Sequence, residues 1–544
     1  MLNQKLMMLK LCTLLGFAGA GVYFGWRFIK GNICLDKKNY LDSKRRKGSE
    51  DCLGCGHNST RKKVNETSPA QCKTSTPELI IKTMNNPKSH QESLVPGIAK
   101  IMVKNFGCNH NRSDSESMMG LLSDYGYTIV YELHECNLLV INSCTVKGPS
   151  QDSCQNLIEL AKSMDKFVVV TGCVPQADIN LHFLKDVSIV GVRNIHRIVE
   201  VVELTLQGNV VLLIPDRTLE MSDEVIGAFE ATLPPLLLPK IRRNPFVEII
   251  TISVGCLGNC TYCKTKHSRG DLGSYPIEDI INRINQSLSE GVKQFWLTSE
   301  DIGAYGKDIG TNLSELLREI LKIIPKDIMI RIGMTNPPHV LNQINDIIEI
   351  MKHPNVFEFL HIPVQSGSNK VLELMKRDYV VEEFNLLVDS ILKELPLATI
   401  ATDIICGFPG ESDKDHIQTV KLINKYKFPV VNISKFYPRP GTPAAKMKPI
   451  SNGVSKSRSS EITDIFKSFN HNEYVFEMIP GDKIVKVWFI EHSEKSNHTV
   501  GHTKHYNKVL VGMDDNLLGR YAMVKLIKPH KWHMEGIVIA ESLH

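Results

Sequence analysis

Three cysteines, Cys256, Cys260 and Cys263, lie within eight residues of one another. Their CxxxCxxC spacing puts three thiolates on one loop, just after a run that reads as a strand, Phe246–Val254. Three sulfurs can hold three irons of a 4Fe-4S cube and leave the fourth iron open. An open iron can chelate the amino and carboxylate groups of S-adenosylmethionine (SAM) and pass an electron to its sulfonium. Zinc is the alternative occupant, but zinc wants a fourth ligand at a second paired spacing.

Three further cysteines sit far apart in sequence. Cys108, Cys144 and Cys173 each follow an apolar run by two or three residues: Ala99–Asn105, Leu138–Asn142 and Phe167–Thr171. Short apolar runs alternating with helical stretches read as buried parallel strands. Such strands end on one edge of the sheet, where ligands bind, so the three thiols converge there. Zinc with His110 as fourth ligand, three packing cysteines, and a second 4Fe-4S cluster all fit; the neighbouring CxxxCxxC loop favours the cluster. Cys136 and Cys154 fall outside this pattern and read as packing residues. Ser113 and Glu116, at capping-box spacing, predict a helix opening there and running to Tyr125.

The elements that position these residues make the chain an α/β protein. Residues 98–206 read as a parallel α/β domain. Residues 243–465 hold six strand–helix units, which suggests a partial (βα)6 barrel. Its strands are Phe246–Val254, Gln294–Thr298, Met329–Gly333, Phe357–Ile362, Thr399–Ile405 and Val430–Phe436, and Pro276–Glu290 is an amphipathic helix. Residues 473–541 turn to short strands and suit a small OB-like β-barrel. There Lys483, Lys486, Lys504, Lys508, Arg520, Lys525, Lys528 and Lys531 interleave with Trp488, Tyr506, Tyr521 and Trp532, which by itself reads as a solvated face with core aromatics and becomes a nucleic-acid face only if the barrel is an RNA-binding domain.

The 544 residues give room for two to four domains, and 42% apolar with 23% charged residues excludes a wholly disordered or polytopic membrane chain. A net charge of +5 excludes a histone-like tail but permits a local basic face. Residues 9–29 contain the uncharged run Leu11–Trp26 with a basic C-terminal flank, which predicts a membrane anchor with the rest of the chain in the cytosol. A cleaved signal and a mitochondrial presequence are the alternatives. Residues 30–97 read as a polar linker; Cys52, Cys55 and His57 within it lack a second ligand pair.

The CxxxCxxC loop in a six-unit barrel resembles the radical SAM superfamily. That resemblance places Tyr262 near the SAM adenine, Glu300 of Thr298–Asp301 on the SAM amino group, and Gly407 and Gly410 of Asp403–Glu411 against the adenine. Across residues 99–541 the order of parts resembles the radical SAM methylthiotransferases, whose last part is a small β domain of the TRAM type. Asn142-Ser-Cys-Thr-Val-Lys147, Gly172-Cys-Val-Pro-Gln176, Tyr262-Cys-Lys-Thr-Lys-His267, His361-Ile-Pro-Val-Gln-Ser366 and Phe436-Tyr-Pro-Arg-Pro-Gly-Thr442 are similar to the branch acting on threonylcarbamoyladenosine in tRNA. The resemblance implies two 4Fe-4S clusters, SAM, tRNA and an electron donor. It implies hydrogen abstraction from C2 of the adenine and a methylthio group as its replacement. Isopentenyladenosine in tRNA, or a ribosomal protein, is the substrate in sister enzymes, and a noncatalytic membrane-tethered adaptor is the reading from another class. Animal members carry a C-terminal membrane tail, whereas the run here is N-terminal. Chemistry that needs reduced thiols and tRNA places the catalytic part on the cytosolic side of the endoplasmic reticulum membrane, or in mitochondria. The oligomeric state stays open.

Overall fold

The computed structural model describes residues 80–83, 98–146, 148–214 and 233–539. The expected anchor at 9–29, the linker cysteines Cys52 and Cys55, and Lys147 lie outside the described residues. Among those described, no helix is long and apolar enough to cross a membrane.

The first sheet has seven strands: β1 (Ile80–Thr83), β2 (Lys100–Asn105), β3 (Thr128–Val130), β4 (Leu138–Ser143), β5 (Phe167–Gly172), β6 (Ser188–Val190) and β7 (Asn209–Leu213). Their order is β1-β7-β6-β5-β4-β2-β3, parallel except for β1 at the edge. The centre is apolar on both faces because helices cover both. Leu139 and Ile141 of β4 point to the core that holds Cys136, Cys154 and Ile158. Leu138 and Val140 point to the opposite core, against Met118, Leu122 and Val201. Cys136 and Cys154 are therefore packing residues, as the sequence indicates. Two strands lie outside the 98–206 span: β7, and β1 inside the stretch read as linker.

The second sheet is split. β8 (Val247–Thr251), β11 (Gln294–Thr298) and β12 (Met329–Arg331) form one parallel half. β13 (Phe359–His361), β14 (Thr399–Cys406) and β15 (Val430–Lys435) form the other. The bridges Ile330↔Val356 and Met334↔His361 join them. A helix follows each strand: Ile277–Ser289, Leu313–Ile323, Ile344–Lys352, Val381–Glu394, Asp413–Tyr426 and Asn452–Ser468. The result is six βα units in sequence order. Short β9 (Ser253–Val254) and β10 (Gly273–Ser274) pair across the base of the cysteine loop.

Strands β16 (Ile484–His492), β17 (His498–Thr503), β18 (Lys508–Gly512), β19 (Tyr521–Pro529) and β20 (Met534–Val538) close a barrel in the order β16-β17-β18-β20-β19. Its β17–β18 loop docks on the six-unit sheet. Lys504 Nζ donates to the carbonyls of Met351, His353 and Val356, and the Glu358 amide donates to Lys504 O. Tyr506 packs on Phe357 and Phe359, and Trp488 on Phe357. This corrects part of the expected nucleic-acid face. Trp488, Tyr506 and Lys504 are spent between domains, and Lys531 on the carbonyls of Phe466 and Phe469. Lys508, Arg520, Lys525, Lys528 and Trp532 remain exposed.

Candidate active site

The loop after β9 carries the barrel triplet. Each sulfur accepts a hydrogen bond: Cys256 Sγ from the Gly258 amide (3.3 Å), Cys263 Sγ from the Thr265 amide (3.3 Å) and Cys260 Sγ from Arg377 Nη1 (3.2 Å). The first two sulfurs flank Gly258; a Cβ there would stand 3.6 Å from Cys256 Sγ and 3.7 Å from Cys260 Sγ. Burial pushes the Cys256 thiol up to about 12; Asp301, Cys263 and Cys260 add to the rise against the Gly258 hydrogen bond. Thiols that resist ionising side by side give up their protons to a metal, whose charge replaces them. The donor set thus fits a cluster with three protein sulfurs.

Arg377 was not legible in the sequence as a site residue. Its guanidinium also donates to Asn336 Oδ1 and lies over the Tyr379 ring, and Asn336 Nδ2 donates to Asp301 Oδ2 at 2.7 Å. An Asp–Asn–Arg chain therefore ends on a candidate cluster ligand. At the same sheet edge His361 Nε2 and Asn432 Nδ2 meet Asp403 Oδ1 at 2.9 and 2.8 Å.

Tyr262 packs edge-on against Phe408, with ring centroids 6.2 Å apart. Gly407 and Gly410 bracket Phe408, both with positive φ (76° and 88°). A Cβ on Gly407 would come within 2.1 Å of Ser455 Oγ, so only glycine lets this turn pass the helix Asn452–Ser468. The turn thus holds the aromatic wall beside Cys260 and Cys263.

In the first sheet, β2, β4 and β5 are neighbours, and Asn105, Asn142 and Thr171 lie in register across them. Cys108 caps the helix Asn109–Tyr125, Cys144 follows Ser143 directly, and Cys173 opens the short helix Cys173–Ala177. The three thiols lie close enough for Cys173 and Cys144 each to raise the pKa of Cys108. Cys108 keeps a solvent-facing surface, yet the surrounding protein withholds enough water to push its thiol up to about 12. Asn111 locks the arrangement: its Nδ2 donates to Asn142 Oδ1 (2.7 Å) and Ser143 O, and its Oδ1 accepts from Cys108 Sγ at 3.4 Å.

The helix therefore starts at Asn109, four residues before the expected Ser113. Ser113 and Glu116 do not form a cap. Ser113 Oγ donates to Ile249 O of β8, and Glu116 accepts from the Arg243 amide. Both residues serve the contact between the first sheet's domain and the six-unit sheet.

A buried polar network crosses that contact. Arg269 donates to Asp114 Oδ2 (2.9 Å) and faces His110 Nε2 (3.1 Å). His110 Nδ1 lies 2.8 Å from Glu300 Oε1, and Glu300 Oε2 accepts from the Gly255 amide at 2.9 Å. Burial alone would raise the Glu300 pKa, but His110, Arg269 and the Gly255 amide more than offset it and hold it below the ordinary value. Two expectations change. Both His110 nitrogens face this network, so His110 is not a fourth ligand beside Cys108. Glu300 has both oxygens engaged between the domains, while the neighbouring Asp301 faces the Arg377 chain.

Two more cations lie near the triplets, Arg439 by Cys144 and Lys264 beside Cys263. Arg439, in the segment after β15, is buried, and its Nη2 has no hydrogen-bond partner. Burial pulls its pKa below the usual range, opposed first by the nearby Cys144 thiol and then by Asp152 and Tyr437. Lys264, next to Cys263, donates to Pro440 O at 2.5 Å.

The comparisons with known proteins agree with this geometry. Residues 100–190 match the model described as uncharacterized protein family UPF0004, and residues 250–423 match the radical SAM superfamily. A threonylcarbamoyladenosine tRNA methylthiotransferase of Xenopus laevis is 46% identical over 83% of this chain and 79% of that protein. The chain belongs to the radical SAM methylthiotransferases. A second relative of the same name, from Homo sapiens, is 45% identical over 84% of this chain and 77% of its own. A probable one from Pyrococcus abyssi is 39% identical over 66% and 82%. Among solved structures, a radical SAM methyltransferase from Kitasatospora setae with cobalamin and a 4Fe-4S cluster bound covers 64% of this chain and 74% of its own. Its identity is 14% and its TM-score 0.46, a loose likeness. As a radical SAM methylthiotransferase the chain is an α/β enzyme that uses an iron–sulfur cluster and SAM.

Proposed function

We infer that the chain methylthiolates N6-threonylcarbamoyladenosine next to the anticodon of tRNA, giving the 2-methylthio derivative. The observation that carries this reading is the meeting of two cysteine triplets, one at the edge of each parallel sheet, across a buried network. Cys256, Cys260 and Cys263 would hold one 4Fe-4S cluster and Cys108, Cys144 and Cys173 a second. With SAM and an external electron donor the first would supply a 5′-deoxyadenosyl radical for hydrogen abstraction and the second would supply the sulfur to be transferred.

The chain's own residues supply position and shelter. Three N–H donors hold the barrel sulfurs, and Arg377 places a fixed positive charge against Cys260. Tyr262 and Phe408, turned by Gly407 and Gly410, form an apolar wall for the SAM adenine. With Glu300 engaged elsewhere, the Asp301–Asn336–Arg377 chain takes over as the polar group at that edge. Arg269 keeps the two domains in one register, so a base presented unpaired from the anticodon loop meets both triplets. The C-terminal barrel, read as a TRAM domain, offers Lys508, Arg520, Lys525, Lys528 and Trp532 to the RNA.

Residues 9–29 would anchor the chain to the endoplasmic reticulum membrane with its catalytic part in the cytosol, mitochondria being the alternative. Mass spectrometry of tRNA nucleosides from cells with and without the gene tests the reaction. Loss of the methylthio nucleoside with accumulation of its threonylcarbamoyl precursor supports it; an unchanged nucleoside profile contradicts it.

A further inference from the structure

The tip of the β19–β20 hairpin carries a cluster of metal-binding side chains that has no part in either triplet. His530 and His533 flank the two-residue turn Lys531-Trp532, and the His530 amide donates to His533 O at 2.8 Å. That pairing sets both imidazoles on one face of the ribbon, and Glu535, two residues on from His533, returns to the same face. The rings stack with centroids 4.7 Å apart, and His530 Nε2 lies 2.9 Å from Glu535 Oε1. One ligand atom from each of the three residues lies within 4.8 Å of the others. The backbone beneath them is fixed. Asn472 Nδ2 donates to His530 O at 2.8 Å, and Lys531 Nζ donates to Phe466 O at 2.6 Å and to Phe469 O. The three side chains thus start from a held frame, and closing them on an ion asks only for side-chain rotation.

We propose that His530, His533 and Glu535 bind one zinc-type divalent ion on the C-terminal barrel, apart from the cluster chemistry. Two imidazoles and a carboxylate are a donor set that zinc takes, whereas calcium and magnesium ask for oxygen ligands. Of the first-row ions that share this set, zinc binds more tightly than ferrous iron. Tetrahedral bonds of about 2.0–2.1 Å place ligand atoms about 3.3 Å apart. The pair at 2.9 Å and the outer limit of 4.8 Å bracket that spacing. Burial keeps His533 toward its neutral, metal-binding form, and His530, Lys508 and His498 press the same way against Glu535. Lys508 also repels a cation, and the Glu535 carboxylate is the group that offsets it. Three protein ligands leave the fourth position to water. The ion staples two strands across their turn, so its task is to hold the hairpin.

Free cysteine thiols also bind zinc, so the test uses full-length protein with its iron–sulfur clusters loaded anaerobically, then dialysed against micromolar zinc sulfate. Zinc and iron are counted together by mass spectrometry, and the zinc X-ray absorption edge reads the donors. The wild type should hold about one zinc per chain, with a nitrogen and oxygen shell at about 2.0–2.1 Å and no sulfur at about 2.3 Å. His533→Ala keeps the hydrogen bond between His530 and Glu535, and with it the local frame; it should lose the zinc and retain the wild-type iron. Glu535→Gln should weaken zinc by more than about tenfold, since losing a ligand costs more than losing an outer partner. His498→Ala should leave the zinc in place. No zinc in the wild type, or zinc held at wild-type affinity by both His533→Ala and Glu535→Gln, would overturn the site. A shell of sulfur alone would place the ion on cysteines and overturn it equally.

Discussion

The two cysteine triplets are brought together by opposite means. The barrel triplet is local: eight residues of one loop bring three sulfurs together, and two of the N–H donors to them are amides of that loop and the turn after it. The first sheet's triplet is distributed over 66 residues, and its sulfurs meet only because β2, β4 and β5 are adjacent and in register. A local site is insensitive to distant packing. A distributed site inherits every error of the sheet beneath it.

The largest contrast should come from removing the local triplet. Replacing Cys256, Cys260 and Cys263 by Ala should abolish reductive SAM cleavage and leave about half of the wild-type iron after anaerobic reconstitution, since the distributed site does not depend on that loop. Unchanged iron would break the comparison by removing the barrel site from it.

A single methyl group should then separate the two. Gly172 has φ 88°, and a Cβ there would fall 2.3 Å from Ser143 O. Gly172→Ala should therefore push β5 away from β4, displacing Cys173 from Cys144, and cost about half of the bound iron while SAM cleavage persists. Gly258→Ala meets its two sulfurs at ordinary contact distance and should keep the full iron content.

A smaller effect is expected from the anchoring of β8, which leads into the barrel loop. Glu248 is buried against Lys240, Arg242 and Arg283. Burial would raise its pKa, but these cations hold it at about 2, below its ordinary 4.5. The sign follows. The stabilisation is complete above pH 4.5 and is lost as pH falls toward about 2. A shift of that size corresponds to about 3 kcal/mol. Glu248→Gln should lower unfolding free energy by about that amount at neutral pH and flatten its decline below about pH 5, followed by denaturant titration at several pH values. An equally steep acid decline in the variant would assign the effect elsewhere.

The sequence showed most clearly what is repeated or local. The CxxxCxxC loop needs no tertiary information, and strands such as Gln294–Thr298 are marked by apolar runs that buried parallel pairing demands. Even the distributed triplet was legible, because each cysteine follows a strand end. What escaped was whatever depends on a partner distant in sequence. Ser113 and Glu116 look like a cap locally, but β8 and Arg243 claim them. Glu300 sits at a plausible SAM position, but His110 lies 190 residues earlier and takes it. Arg377 and Asn336 carry no local pattern. Trp488, Tyr506 and Lys504 have the composition of an RNA face and the location of an interdomain contact.

The central claim is that the triplets are separate sites with separate tasks. The most direct test uses the variant with Cys108, Cys144 and Cys173 all replaced by Ala. The protein is reconstituted, then incubated with SAM, a strong reductant and tRNA containing threonylcarbamoyladenosine. 5′-Deoxyadenosine and the methylthio nucleoside are quantified together by mass spectrometry. 5′-Deoxyadenosine formation should stay within about threefold of wild type, because the loop cluster is intact, while the methylthio nucleoside should be absent. Formation of the methylthio nucleoside by this variant, or loss of 5′-deoxyadenosine to the same extent as in the barrel variant, would contradict the division of labour.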